Sequence, residues 1–143
     1  MSLKQRTKRL SETRIQKSIH IAADPDTVWN HLTQAELLGK WFHPATENLS
    51  HGEDYTLTNG EEGKRMCWGT VEEMTPKSYM RWSLTVEPMR GRMSAVEWHL
   101  SPAPGGARLT LEHHGLPQDA EGFCLVMALD KGWHGLLGNL QQV

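Results

Sequence analysis

The chain is poor in several things that would each have named a class of protein. It has only two cysteines, Cys67 and Cys124, far apart and each alone. Neither a CxxC metal or redox pair nor a disulfide framework can be written, and both are expected to be buried thiols. No window approaches the roughly 20 uninterrupted apolar residues of a membrane span, and the start is basic and polar with no apolar stretch of signal-peptide length. A cytoplasmic location is therefore expected. Charge of either sign is scarce in sum, since 15 basic and 17 acidic residues leave a formal charge of -2. Phe and Tyr are rare at 2 each, yet Trp occurs 6 times.

The small net charge hides an asymmetry. Lys4, Arg6, Lys8, Arg9, Arg14 and Lys17 face only Glu12 within residues 1–17, so the rest of the 143-residue chain is acidic. An acidic body is a poor surface for nucleic acid, whose affinity rests on neutralised phosphates. Residues 1–13 are expected to form a flexible basic arm, and residues 14–143 one domain, because two domains would each be too small to bury a good core.

Ile15, Ile19 and Ile21 alternate over residues 14–22, as in a half-buried strand. Asp24-Pro25 then reads as an N-cap followed by the first helical position, with Val28, Trp29 and Leu32 at helical spacing. Leu37, Leu38 and Trp41 suggest a second short helix ending before Pro44. Residues 47–114 change to period two, with turn signals at His51-Gly52, Asn59-Gly60, Pro76-Lys77, Arg90-Gly91 and Gly105-Gly106, giving about six more strands. Val126, Leu129, Trp133, Leu136, Leu137 and Leu140 form one stripe of a long final helix. Gly132, Gly135 and Gly138 interrupt it at about 1 kcal/mol each, which calls for close packing or for room left beside a bound molecule. The order predicts an α+β fold, a curved antiparallel sheet of about seven strands around a long C-terminal helix.

Strand parity supplies the inner face: Met80, Trp82, Leu84 and Val86 on one strand, Val96, Trp98 and Leu100 on the next, then Leu109, Leu111 and His113. Ser94 is the odd small member of this set. Over residues 65–74 Met66 and Trp68 are placed inside, although Val71 has the other parity, which suggests a bulge or edge near Gly69. Bulky indoles and flexible thioethers on one face make either a close-packed core or a pocket for an apolar or aromatic small molecule. The candidate lining is Trp41, Phe42, Met66, Trp68, Met80, Trp82, Leu84, Trp98, Leu111, His113, Leu129 and Trp133.

Motifs for chemistry are thin. His113 and His114 point to opposite faces of a strand, and none of the eight His forms an HxH or HxxxH pair, so no metal site is expected. There is no GxSxG, no phosphate-cradling glycine loop and no cofactor signature. If there is acid/base chemistry, His113 is the candidate, with Glu97 or Arg81 available should the parity be one register off. No catalytic residue is assigned.

Residues 19–42 (IHIAADPDTVWNHLTQAELLGKWF) resemble the N-terminal signature of the activator of heat-shock protein 90 ATPase homologue family, in the START-like or SRPBCC superfamily. Gly69-Thr70-Val71, Pro76 and Trp82 match its middle, and residues 108–115 (RLTLEHHG), Gly132-Trp133, Leu137 and Leu140 match its end. The resemblance implies a helix-grip fold with an internal cavity that two short helices close at one end. Superfamily members bind lipids, sterols, polyketides and other hydrophobic molecules, and some act as cyclases or dehydratases. It implies no shared catalytic residue and no cofactor. Only one glycine stands at His51-Gly52 where the family usually has a pair, and the final helix is expected to be about a turn short. Three functions stay open: binding of a small hydrophobic molecule, an enzyme of polyketide cyclase/dehydratase type in the same cavity, and a co-chaperone-like interaction module. A homodimer through the outer sheet face is also left open.

Overall fold

The computed structural model describes residues 14–60, 62–118 and 120–143; the basic arm of residues 1–13 lies outside them. Strand β1 (Arg14–Ile21) buries Ile15 and Ile21. Asp24 then caps helix α1 (Pro25–Thr33), its carboxylate accepting from the Thr27 backbone N–H at 2.8 Å with Pro25 preset for the first turn. Helix α2 (Ala35–Leu38) is one turn. Strands β2 (Asp54–Thr58), β3 (Arg65–Thr75), β4 (Tyr79–Leu84), β5 (Ser94–Ala103) and β6 (Gly106–His114) follow, then helix α3 (Ala120–Leu140). No helix among the described residues is long and apolar enough to cross a membrane.

The strands form one antiparallel sheet in the order β1-β6-β5-β4-β3-β2, so the first strand closes against the last. This is the expected curved sheet with a C-terminal helix, corrected from about seven strands to six among the described residues. Between α2 and β2 the chain makes only an isolated bridge, Ala45 to Leu57, and runs otherwise as loop.

Inward parity holds on three strands. Met80, Trp82 and Leu84 of β4, Val96, Trp98 and Leu100 of β5, and Leu109, Leu111 and His113 of β6 are all buried. On β3 it is reversed. Cys67, Gly69 and Val71 face the core while Trp68 lies outside, its ring under the Arg65 guanidinium at 3.4 Å from the centroid. The physical cause is close approach: a Cβ on Gly69 would stand 2.0 Å from the Ser83 carbonyl oxygen. Only small residues fit inward at this point, and the bulky indole goes to the other face. The bulge itself falls later, between Val71 and Glu73.

Helix α3 is gripped by its second half, where Trp133, Leu137 and Leu140 are buried. In its first half Val126 and Leu129 are only half-buried, Phe123 and Met127 are exposed, and Cys124 is exposed rather than buried as expected. A Cβ at Gly132, Gly135 or Gly138 would meet nothing within 4 Å, so close packing is not what these glycines serve.

Candidate functional site

The interior beneath α3 is built from aromatic rings. Trp98 is the hub, edge-on to Trp41 at 6.0 Å, to Trp82 at 5.3 Å and to Trp133 at 5.6 Å between centroids. Phe42 bridges Trp41 and Trp133 at 5.4 Å from each, and Tyr55 packs on Trp82 at 5.1 Å. Such tilted and T-shaped contacts suit the ring quadrupoles and add to area burial. Met80, Trp82, Trp98 and Leu111 have no solvent exposure at all. The deep interior is thus filled.

Space remains at one side. A pocket of ≈190 Å³ opens between the middle of α3 and strands β3 and β4. Of the expected lining, Phe42, Met66, Leu84, Leu129 and Trp133 do line it. Trp41, Met80, Trp82, Trp98, Leu111 and His113 pack in the layer behind, and Trp68 stands on the opposite face of the sheet. Six further lining residues, His43, Cys67, Val86, Ala128, Gly132 and Leu136, were not among the expected contacts. Cys67 was discoverable from the Val71 parity, and Gly132 from the cost of a glycine inside a helix. A larger concavity of ≈400 Å³ is lined mostly by charged side chains, Lys64, Arg65, Glu87 and Arg90, and does not suit an apolar guest; two others, of ≈370 Å³ beside Lys17, His134 and Gln141 and of ≈290 Å³ beside Glu72, Arg81 and His114, have mixed polar linings.

His113 sits under this pocket in a closed relay. Trp133 Nε1–H donates to His113 Nδ1 at 3.0 Å. An indole is donor only, so the ring proton is on Nε2, which donates to Ser94 Oγ at 2.8 Å. The Ser94 hydroxyl in turn donates to the Leu84 carbonyl at 2.7 Å. Burial, with the neighbouring His114 adding to it, pushes the His113 pKa down to about 4. A neutral ring with both nitrogens engaged ties α3 to β4, β5 and β6. Ser94 is the small member of the inner face because its hydroxyl is needed there. At the pocket rim His43 is likewise lowered by burial.

Glu97 and Arg81, the alternatives for acid/base work, lie on the outer face. Glu97 accepts from the Tyr79 hydroxyl at 2.7 Å and pairs with His114 at 2.8 Å. Burial works against its charge, but these hydrogen bonds hold its carboxyl below the usual range. Arg81 pairs with Glu72 at 3.0 Å. These pairs are partly exposed and contribute little to stability.

A family model described as activator of Hsp90 ATPase homolog 1-like protein matches residues 22–143. No curated protein matches the sequence. Among solved structures, protein MLL2253 from Mesorhizobium loti superposes with a TM-score of 0.78 at 19% identity, over 91% of this chain and 95% of that one. The Aha1 dimer from Colwellia psychrerythraea gives 0.71 at 17% identity, over 90% and 93%. DynU16, described as a protein in the dynemicin biosynthetic locus, gives 0.72 at 20% identity, over 90% of this chain and 46% of that one. At these identities the likeness is one of fold.

Proposed function

The chain belongs to the activator of Hsp90 ATPase homolog 1-like family, and from that premise we propose that it binds a small hydrophobic or aromatic molecule in the pocket between α3 and strands β3 and β4. The observation that carries this is the ≈190 Å³ apolar space under the middle of α3, where Leu129, Gly132, Trp133 and Leu136 stand across from Met66, Cys67 and Leu84. An engineered apolar cavity of about 150 Å³ admits benzene, and drug-sized sites begin near 300 Å³. The pocket therefore suits a guest of one or two rings. The dynemicin-locus neighbour, of the same fold, is consistent with a scaffold that accommodates small organic molecules. Catalysis by His113 has no such support, since its ring nitrogens are both committed to holding the fold.

Gly132 lines the pocket, and a Cβ there meets nothing within 4 Å. Gly132→Leu should fill the pocket while raising helix propensity by roughly 0.8 kcal/mol. Titration of one- and two-ring hydrophobes should shift or quench Trp emission in the natural protein, through Trp133, and not in the variant. A silent panel would remove the proposal, and equal binding by a folded Gly132→Leu would place the guest elsewhere.

A further inference from the structure

Three side chains along the pocket can hydrogen-bond through a nitrogen or a thiol: Trp133, Cys67 and His43. Trp133 Nε1–H is committed to His113 at 3.0 Å. Cys67 is buried with its thiol pushed up to about 12, so it stays protonated, and a thiol is a weak donor and a weak acceptor. That leaves His43. Among the described residues no hydrogen bond or ion pair holds its ring, which packs beside Phe42 at 5.0 Å between centroids.

The backbone on either side fixes where this ring stands. Phe42 N–H donates to the Leu38 carbonyl at 2.9 Å, and the Pro44 carbonyl accepts from Thr58 N–H at 2.9 Å. The Phe42 ring is itself wedged between Trp41 and Trp133. His43 is thus a positioned, unpaired polar group on an otherwise apolar pocket, which is the arrangement that orients a guest. Burial alone lowers its pKa, so at pH 7.5 the ring is neutral and presents one N–H and one bare nitrogen. A hydroxyl both donates and accepts, so it pairs with either nitrogen in either tautomer. A ketone or an ether meets just the protonated one. No lysine or arginine stands along the pocket, so a carboxylate would lose its water without gaining a countercharge.

Resting on the small-molecule reading above, we propose that the pocket selects neutral phenols of one or two rings, with the rings against Met66, Leu84 and Leu129 and the hydroxyl held at the rim by His43. A purely hydrocarbon guest leaves the imidazole without a partner in the pocket.

Indane and 5-indanol share a two-ring frame and differ by one hydroxyl. That hydroxyl also costs desolvation, so the informative number is the affinity of 5-indanol relative to indane, compared between the natural protein and His43→Phe by calorimetry at pH 7.5. The ratio should be about fivefold higher in the natural protein. On unmodified protein labelled with ¹⁵N at histidine, 5-indanol should move the His43 ring nitrogens well beyond any effect of indane. That signal is assigned through bonds from the backbone, so it decides the question even where His43→Phe fails to fold. Indane-5-carboxylate should bind more weakly than 5-indanol, and tighter binding would overturn the requirement for neutrality. Equal ratios, or His43 nitrogens left unmoved by 5-indanol while the Leu129 methyls shift, would overturn the role of His43 and leave the pocket standing. Failure of every probe to bind would remove the pocket, and this proposal with it.

Discussion

Acid should weaken this fold through His113 before most carboxylates are touched. In the folded chain its ring stays neutral down to about pH 4, because burial and the charge of His114 disfavour the imidazolium, whereas an unperturbed histidine takes its proton at 6.5. Between those values the unfolded state binds more protons, so stability falls as pH falls, at up to about 1.4 kcal/mol per pH unit. Over the whole window the loss is about 3 kcal/mol, a large share of the ~5–15 kcal/mol by which small domains are stable. Above pH 6.5 the contribution is flat. His43, also lowered by burial, and Glu97, held low by Tyr79 and His114, add acid sensitivity of their own. The informative quantity is therefore a difference. Urea denaturation at half-unit steps from pH 7.5 to 4 should give a steep profile for the natural protein. For His113→Gln the profile should be shallower by about 3 kcal/mol across the window, starting from a stability about 1–3 kcal/mol lower at neutral pH because Ser94 and Trp133 lose their partner geometry. Parallel profiles, or a His113 ring resonance titrating near 6.5, would refute the closed relay.

Two other predictions test the frame of the site. Gly69→Ala would force a methyl to within 2.0 Å of the Ser83 carbonyl where β3 passes β4, so urea midpoints should show a loss of about 3 kcal/mol or more; a neutral outcome would mean the strands separate freely there. Cys67, buried with its thiol pushed up to about 12, should resist Ellman's reagent while exposed Cys124 reacts, giving one thiol per native chain at pH 8 and two in urea; two fast native thiols would show that the pocket wall opens.

Much of this architecture is legible in the residues because each element announces its own period. The isoleucines of β1, the Asp24-Pro25 cap, and the alternation along β4, β5 and β6 all lead to the elements found. Where the expectation failed, long-range geometry decided. The seventh strand was counted because the stretch before β2 carries turn signals, which do not reveal that it pairs through only one bridge. Trp68 was turned inward because large apolar residues usually are. The contact that turns it out, Gly69 against Ser83, lies 14 residues away along the chain. Of the candidate ligand contacts, Phe42, Met66, Leu84, Leu129 and Trp133 stand along the pocket. The sequence pattern could not separate them from Trp82 or Trp98, because inward parity identifies the face and not the depth. The space lies beside the middle of α3, at Ala128, Leu129, Gly132, Trp133 and Leu136, and the apolar stripe that predicts the inner face of the helix does not mark it.

Central to this account is a guest held under the middle of α3, against strands β3 and β4. The most direct measurement is a methyl NMR titration of protein labelled at Met, Leu and Val, using the tightest hydrophobe found by Trp emission. The account predicts saturable shifts at Met66, Leu84, Val86, Leu129 and Leu136, with Leu100 and Leu109 unmoved. Shifts centred on any other patch of the surface, or none at saturating hydrophobe, would contradict it.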